Sequence, residues 1–154
     1  MGRMEKSIEI KASPEKVWET LALDRLTEWN EGFQKNLKSV EYTSKVRTPR
    51  DKLRVGATAN GISKKNGESA QFNFEITESL DNEKMTYRFS FGKMARVQVS
   101  NILKPIENGT KLTYIIDYEM SWGILGKTLF KLLSVGGDKE IERDLERFKN
   151  IAEK

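Results

Sequence analysis

The sequence predicts an α+β domain in which a curved antiparallel sheet of about seven strands wraps around a long C-terminal helix. Residues 122–154 contain the long helical pattern that supports this fold class. Residues 37–120 alternate apolar and polar side chains with a period of two, which is typical of strands with one buried face. Two short helical segments after the first strand can close one end of the sheet.

Size and composition limit the possible classes of protein. A chain of 154 residues is expected to form one domain over residues 1–154. The sequence has no cysteine, and we expect neither a signal peptide nor a membrane span, so the predicted location is the cytoplasm. Histidine is also absent. The commonest general base and the usual zinc ligands are therefore missing, and we expect no metal and no cofactor.

The N-terminal elements follow from short local signals. Residues 6–11 alternate apolar and polar side chains and predict the first strand. Ser13 can cap a helix in which Pro14 takes the first position. Asp24 is expected to cap a second short helix. The residues expected on one face of that second helix are Leu26, Trp29 and Phe33.

Six further strands are predicted between residues 37 and 120, separated by turns such as Asn66-Gly67, Asp81-Asn82 and Asn108-Gly109. Each strand has a set of apolar residues that should face inward. These sets are Val40 and Tyr42; Leu53, Val55, Ala57 and Ala59; Phe72, Phe74, Ile76 and Leu80; Met85, Tyr87, Phe89 and Phe91; Ala95, Val97, Val99 and Leu103; and Leu112, Tyr114, Ile116, Tyr118 and Met120.

Basic residues are concentrated between positions 45 and 54, where five lysines and arginines face one acidic residue, Asp51. We expect a solvated, mobile loop, with contact to an anion or a lipid headgroup as the alternative. No aromatic residues are interleaved with these charges, so nucleic acid is not an expected partner.

The C-terminal helix is predicted in two parts. Residues 124–135 are apolar nearly all round, except for Lys127 and Lys131. This half should pack on the sheet, with contact to anionic lipid as the alternative. Residues 138–154 are amphipathic, and their apolar face consists of Ile141, Leu145, Phe148 and Ala152. Between the two parts, Gly136 and Gly137 cost a helix about 2 kcal/mol together, which predicts a break.

Several motifs, in this order and spacing, resemble those of one large superfamily. They are Ile8-Glu9-Ile10 leading to Ser13-Pro14-Glu15-Lys16-Val17-Trp18, then Trp29, Leu53-Arg54-Val55-Gly56, Asn108-Gly109-Thr110-Lys111-Leu112-Thr113, Gly126-Lys127 and Asp144-Leu145-Glu146-Arg147-Phe148-Lys149. Over nearly its whole length the chain resembles the START-like (SRPBCC) superfamily, specifically its polyketide cyclase/dehydrase and lipid-transport group. The resemblance implies a helix-grip fold with a cavity for an apolar or aromatic molecule. That group shares no single catalytic motif, so the catalytic residues are unknown.

We predict an apolar pocket of roughly 300–1,000 Å³ between the sheet and the C-terminal helix. Small inward side chains at Ala57 and Ala59 should leave space that aromatic neighbours cannot close. Tyrosine hydroxyls in such a pocket could orient a ligand oxygen or donate a proton, although plain core packing is the alternative. The expected ligand-binding residues are Trp29, Phe33, Ala57, Phe74, Tyr87, Phe89, Tyr114, Tyr118 and Phe130.

These observations lead to three functional hypotheses. The first is a carrier or sensor of a hydrophobic, lipid-, quinone- or polyketide-like molecule, with at most transient membrane contact. The second is an enzyme of the cyclase or dehydratase kind. The carboxylates Glu75, Asp117 and Glu119 should face outward, so the second hypothesis needs a desolvated acid or lysine inside the cavity. The third is a co-chaperone-like interaction module, which a core without space for more than a water or two would favour.

Overall fold

The computed structural model of the chain describes residues 2–64, 69–91, 95–120 and 138–154. It confirms the predicted α+β fold class: a curved antiparallel sheet with short helices after the first strand and a C-terminal helix. The strands are β1 (Gly2–Ile10), β2 (Leu37–Tyr42), β3 (Thr58–Ser63), β4 (Ser69–Leu80), β5 (Lys84–Phe91), β6 (Ala95–Ile106) and β7 (Gly109–Met120). The helices are α1 (Pro14–Thr20), α2 (Leu26–Trp29), α3 (Glu31–Asn36) and α4 (Asp138–Ala152).

All seven strands form one sheet with the order β1-β7-β6-β5-β4-β3-β2. Strands β2 to β7 therefore follow one another as a meander, and the first strand pairs with the last. This order places β5 and β6 near the middle of the sheet. The inner face of these central strands carries the side chains that matter for the site described below.

The segment between α1 and β2 contains three short helical elements where the sequence predicted one helix. Helix α1 begins as expected, with the Lys16 amide donating to the Ser13 hydroxyl at 3.3 Å. The expected second helix is instead a 3-10 turn at Leu23–Arg25 followed by α2 and α3. Asn30 leaves the helical conformation, and its side-chain oxygen accepts from the Phe33 amide at 3.1 Å. Asn30 rather than Asp24 is therefore the cap, because its side chain competes for the backbone amide.

Two predicted inward residues, Val55 and Leu80, are exposed by 61% and 53%. Strand β3 begins only at Thr58, after Gly56 adopts a φ of 91°, so Val55 precedes the strand. In β4 the register shifts between Ile76 and Glu78. Side chains alternate between the two faces of a strand, so a one-residue shift turns Leu80 away from the core.

Residues 45–50 of the basic segment are exposed, as expected, but Pro49–Leu53 form a 3-10 helix where a loop was expected. Thr48 and Asp51 cap it reciprocally. Three of its five basic residues form ion pairs, which join Arg50 to Asp81 at 2.6 Å, Lys52 to Asp24 at 2.7 Å and Arg54 to Asp51 at 3.0 Å. The first two pairs connect the segment to the turn after β4 and to the 3-10 turn before α2, and the third lies within the segment.

Helix α4 buries the apolar face that the sequence predicted. Ile141, Leu145, Phe148 and Ala152 are each at most 2% exposed. Phe148 packs edge-on against Trp29 of α2, with ring centroids 5.2 Å apart. The predicted break at Gly136 and Gly137 lies outside the described residues. Helix α4 also positions polar residues that border its buried face and point toward the inner side of the sheet.

Candidate functional site

A small void lies between the inner face of β5, β6 and β7 and the helices α3 and α4. Its lining combines aromatic and aliphatic side chains with a few polar groups. The lining residues are Asn30, Phe33, Tyr87, Phe89, Val97, Val99, Tyr114, Ile116, Ile141 and Asp144. The void measures about 10 Å³, which is room for about one water molecule.

This volume is far below the 300–1,000 Å³ that the sequence analysis expected of a ligand pocket. Between the sheet and the helices, the described residues therefore show no preformed pocket of that size. A cavity of about 620 Å³ lies beside Ala59, Phe74 and Phe89, but its other lining residues are polar, Asn73, Glu75 and Arg88 among them.

Phe130 was expected to form part of the opposite wall of the predicted pocket, and residues 121–137 lie outside the described part of the chain. Taken alone, a void for about one water meets the condition that was set for the interaction module. Because the wall expected from Phe130 is not among the described residues, the large pocket stays a prediction.

Four of the expected binding residues line the void together: Phe33, Tyr87, Phe89 and Tyr114. Two more form the next layer. Trp29 lies edge-on to Tyr114 with ring centroids 6.1 Å apart, and Phe74 lies 5.6 Å from Phe89. All six side chains are at most 4% exposed.

The other two described members of the expected set lie apart from the void. Ala57 is buried just before β3, and it does not line the void. Tyr118 is only partly buried and covers Gly2 at the junction of β7 with β1. A Cβ added to Gly2 would lie 2.2 Å from the Tyr118 ring, so a larger residue there would require the end of the Tyr118 side chain to move.

Phe33 is the centre of an aromatic cluster beneath the sheet. Its ring meets Phe74 and Phe89 edge-on, with centroid separations of 5.5 and 5.4 Å, and Phe72 at 6.2 Å. Edge-to-face pairs of this kind contribute roughly 0.5–1.5 kcal/mol beyond the area they bury. The apolar wall of the void is therefore a well-packed group of rings on rigid strands and a short capped helix.

Two buried tyrosines face the void from neighbouring parts of this wall. Burial raises the pKa of both Tyr87 and Tyr114. The phenols are near enough for each to act on the pKa of the other, but no hydrogen bond of good geometry reaches the Tyr87 hydroxyl from any described residue. A buried hydroxyl without a partner costs about 1–3 kcal/mol, so this oxygen is the least satisfied polar group of the wall.

Asp144 is a polar residue of the site that the sequence analysis missed. It is 3% exposed, and its Oδ1 accepts from the Glu31 amide at 3.0 Å and from the Arg147 guanidinium. Arg147 also donates to the Trp29 carbonyl at 2.9 Å. Burial raises the pKa of Asp144 to about 6, although the Glu31 amide and Arg147 both act to lower it. This is a desolvated acid of the kind that the enzyme hypothesis required.

The helical spacing held a signal for Asp144. It lies three residues after Ile141 and four before Phe148, so it borders the apolar face of α4. A carboxylate in that position is either paired or functional, because burying it unpaired is costly. For Asn30, which also lines the void, the signal was its ability to cap α3.

The carboxylates on the polar face of the sheet are placed as predicted. Glu75 pairs with Arg88 at 3.2 Å and Asp117 pairs with Arg3 at 2.7 Å, while Glu119 is exposed. The described part of the chain contains no cluster of three or more acidic residues that could hold a metal ion. Within the same residues, no helix is long and apolar enough to cross a membrane.

Exposed apolar residues bear on the interaction-module hypothesis. Three large hydrophobic side chains among the described residues are exposed, namely Val46, Val55 and Leu80. Single exposed hydrophobic residues are common on protein surfaces. These three do not by themselves favour a docking function over an interior site.

Solved structures share the fold over almost the whole chain. CV1439 from Chromobacterium violaceum aligns with a TM-score of 0.64 and 14% identity, covering 100% of this chain and 99% of that one. MLL2253 from Mesorhizobium loti aligns with a TM-score of 0.66 and 17% identity, covering 97% and 96%. A START superfamily protein from Mycobacterium smegmatis aligns with a TM-score of 0.66 and 16% identity, covering 98% and 97%. At these identities the likeness establishes the fold alone.

Sequence comparison identifies the family. No curated protein matches this chain. The family described as polyketide cyclase / dehydrase and lipid transport matches residues 1–153. That match confirms the resemblance drawn from the motifs, and it agrees with the START superfamily neighbour. The chain therefore belongs to the polyketide cyclase / dehydrase and lipid transport family.

Proposed function

We propose that this protein binds an apolar or aromatic small molecule between the inner face of the sheet and the C-terminal helix, as a carrier or sensor. The observation that carries the proposal is the buried Tyr87 hydroxyl, which has no partner among the described residues and borders a void walled by aromatic rings. Polar groups placed singly in an apolar wall are typical of ligand sites, because they orient what binds there. The family description, which includes lipid transport, supports the same function.

Binding requires more space than the void of about 10 Å³ provides. Side chains of the wall must move apart, or the ligand must extend beyond the surface that the described residues form. The proposal therefore predicts that a ligand changes the packing around Trp29, which lies edge-on to both Tyr114 and Phe148.

Two measurements test this function. Native mass spectrometry of protein purified from its own host should show added mass from a retained ligand. A simple apolar probe, 2-ethylnaphthalene, should raise the melting temperature, since a ligand at a hundred times its Kd stabilises the folded state by about 2.7 kcal/mol. If neither added mass nor a thermal shift is found, the carrier function is wrong and the interaction module takes its place.

A second candidate function, a cyclase or dehydratase, is favoured by Asp144. A carboxyl group whose pKa is raised to about 6 can both donate and accept a proton near neutral pH. It borders the void together with Tyr87 and Tyr114. A buried acid and a phenol are suitable groups for enolising a ketone and protonating a leaving hydroxyl.

The enzyme candidate can be tested with 2,6-heptanedione, which cyclises by an intramolecular aldol reaction and then loses water to give 3-methylcyclohex-2-enone. Wild-type protein should accelerate this conversion, as followed by NMR, and Asp144→Asn should not. Asp117→Asn, which removes an exposed carboxylate on the other face, is the matched control. Equal rates for wild type, both variants and buffer would exclude this chemistry for a simple diketone and leave the carrier function.

A further inference from the structure

Resting on the proposed function, we propose that the interior site selects ligands that carry one neutral oxygen, a ketone or a hydroxyl, on an apolar body, and that it rejects the corresponding carboxylates. In this assignment the Tyr87 hydroxyl bonds the ligand oxygen. Asp144 supplies the discrimination against negative charge.

The Tyr87 hydroxyl is the proposed hydrogen-bond donor to the ligand oxygen. Tyr87 lies on β5 between Ile76 of β4 and Val99 of β6, so the backbone that carries it is paired on both sides. Its side chain is 1% exposed and its hydroxyl has no partner in the described part of the chain. A fixed, dry and unpaired hydroxyl gains a hydrogen bond from a ligand oxygen without giving up one to the protein.

The space beside this hydroxyl, before any side chain of the wall moves, fits one small group. A volume of about 10 Å³ matches one water-sized oxygen. A carboxylate or phosphate brings two or more oxygens and their hydration into the same place. Most of the remaining wall is apolar, with Phe33, Phe89 and Ile116 among its residues. The neutral Tyr114 hydroxyl is a further donor beside Tyr87, and no cationic side chain lines the described wall to balance a second charged oxygen.

Charge adds to this selection. The Asp144 carboxylate faces the same void, and its partners, the Glu31 amide and Arg147, already bind it. The Asn30 side-chain oxygen is likewise engaged by the Phe33 amide at 3.1 Å. An anionic ligand would place a second negative charge beside Asp144, and no lysine or arginine among the described lining residues is there to balance it. Such a charge is unfavourable in a low-dielectric interior.

The test compares naphthalenes that differ in one small group, with binding measured by isothermal titration calorimetry. 2-Acetonaphthone should bind roughly three- to tenfold more tightly than 2-ethylnaphthalene, the gain of one neutral hydrogen bond. 2-Naphthoate should bind more weakly than both. Equal binding of the ketone and the ethyl compound would overturn the proposal, as would tighter binding of 2-naphthoate or of the cationic 1-(2-naphthyl)ethylamine.

Variants locate the effect. Tyr87→Phe should bind 2-ethylnaphthalene as wild type does but lose the preference for the ketone. Tyr42→Phe is the matched control, because the Tyr42 hydroxyl is engaged outside the void by the Leu23 amide at 3.0 Å and the Lys52 carbonyl at 2.9 Å. Tyr42→Phe should keep the ketone preference. If Tyr87→Phe also keeps it, the hydroxyl only holds a structural water and the proposal fails.

The outcomes separate this inference from the function on which it rests. Failure of every naphthalene to bind wild-type protein overturns both. Binding of 2-ethylnaphthalene without any ketone preference leaves an apolar carrier and overturns only the selectivity. Asp144→Asn gives an independent check, since it should raise the affinity for 2-naphthoate relative to 2-ethylnaphthalene. An unchanged ratio would show that Asp144 does not discriminate.

Discussion

Asp144 is the buried carboxylate among the described residues. Its carboxyl group is desolvated by α4 and by the start of α3, and only Arg147 and one backbone amide offset that cost. A group that is held in this way has consequences for stability as well as for binding, because its protonation is linked to folding.

The first prediction concerns the pH dependence of stability. The pKa of Asp144 is raised from 3.8 to about 6 in the folded state. Between these values the folded protein binds more protons than the unfolded chain, so this group lowers stability as pH rises through the window. At pH values above the folded pKa, the loss of stability from this group reaches its full size of about 3 kcal/mol. Urea denaturation at pH 4 and pH 7 gives the free energy of unfolding of wild type and of Asp144→Asn. From pH 4 to pH 7, Asp144→Asn should gain stability relative to wild type by up to this amount.

The comparison between variant and wild type is needed because other carboxylates act in the opposite direction. The pKa values of Glu31, Asp51 and Glu78 are lowered, so they add stability as pH rises. An NMR titration of the Asp144 carboxyl carbon gives a direct check. A midpoint near 4 would contradict the assigned environment.

At the scale of elements, the packing of the apolar face of α4 stabilises the helix more than the exposed ion pairs on its outer side do. The helix carries alternating acidic and basic residues on its outer side, where ion pairs such as Arg143 with Glu140 at 3.9 Å are long and exposed. Exposed pairs contribute little, typically below about 1 kcal/mol. The inner face contacts β1, α1 and α2, and this packing should dominate the stability of the element.

The second prediction tests this balance. Phe148→Ala removes a fully buried ring that packs edge-on against Trp29. It should lower the free energy of unfolding by about 3–5 kcal/mol. Glu146→Ala, on the exposed side of the same helix, should change it by less than about 0.5 kcal/mol. Urea denaturation followed by circular dichroism measures both, and similar effects for the two variants would refute the argument.

At the scale of the whole molecule, the order of the strands decides how stability is distributed. β5 and β6 are paired on both sides, and their inner face is covered by rings of the core. β2 lies at an edge of the sheet and is paired only with β3 among the described strands. Backbone amides that are paired and covered open only when much of the domain unfolds.

The third prediction follows from that order. Amide hydrogen exchange, corrected for intrinsic rates, should be slower in β6 than in β2 by at least about tenfold. NMR-detected exchange in native buffer measures this strand by strand. Protection in β2 equal to that in β6 would indicate that the edge is covered by a contact outside the described residues, and it would contradict the proposed distribution.

The sequence by itself determined the fold class and most of its elements. Period-two alternation identified the inward residues of the central strands, such as Tyr87 and Phe89, because the two faces of a strand have opposite environments. Local capping at Ser13 and the apolar face of α4 were equally visible, since both depend only on residues close in sequence. The motifs were also sufficient to identify the family, which the match over residues 1–153 confirms.

Tertiary structure alone decided where the pattern breaks and which polar groups meet. The register shift after Ile76 turned Leu80 outward, and no local signal marks a bulge that arises from pairing with β5. Asp144 and Tyr87 are far apart in the chain, and only packing of α4 over the sheet places both beside one void. Burial, unpaired hydroxyls and raised pKa values depend on such long-range neighbours. This is the physical reason that the sequence located the core and its tyrosines but not the buried carboxyl group beside them.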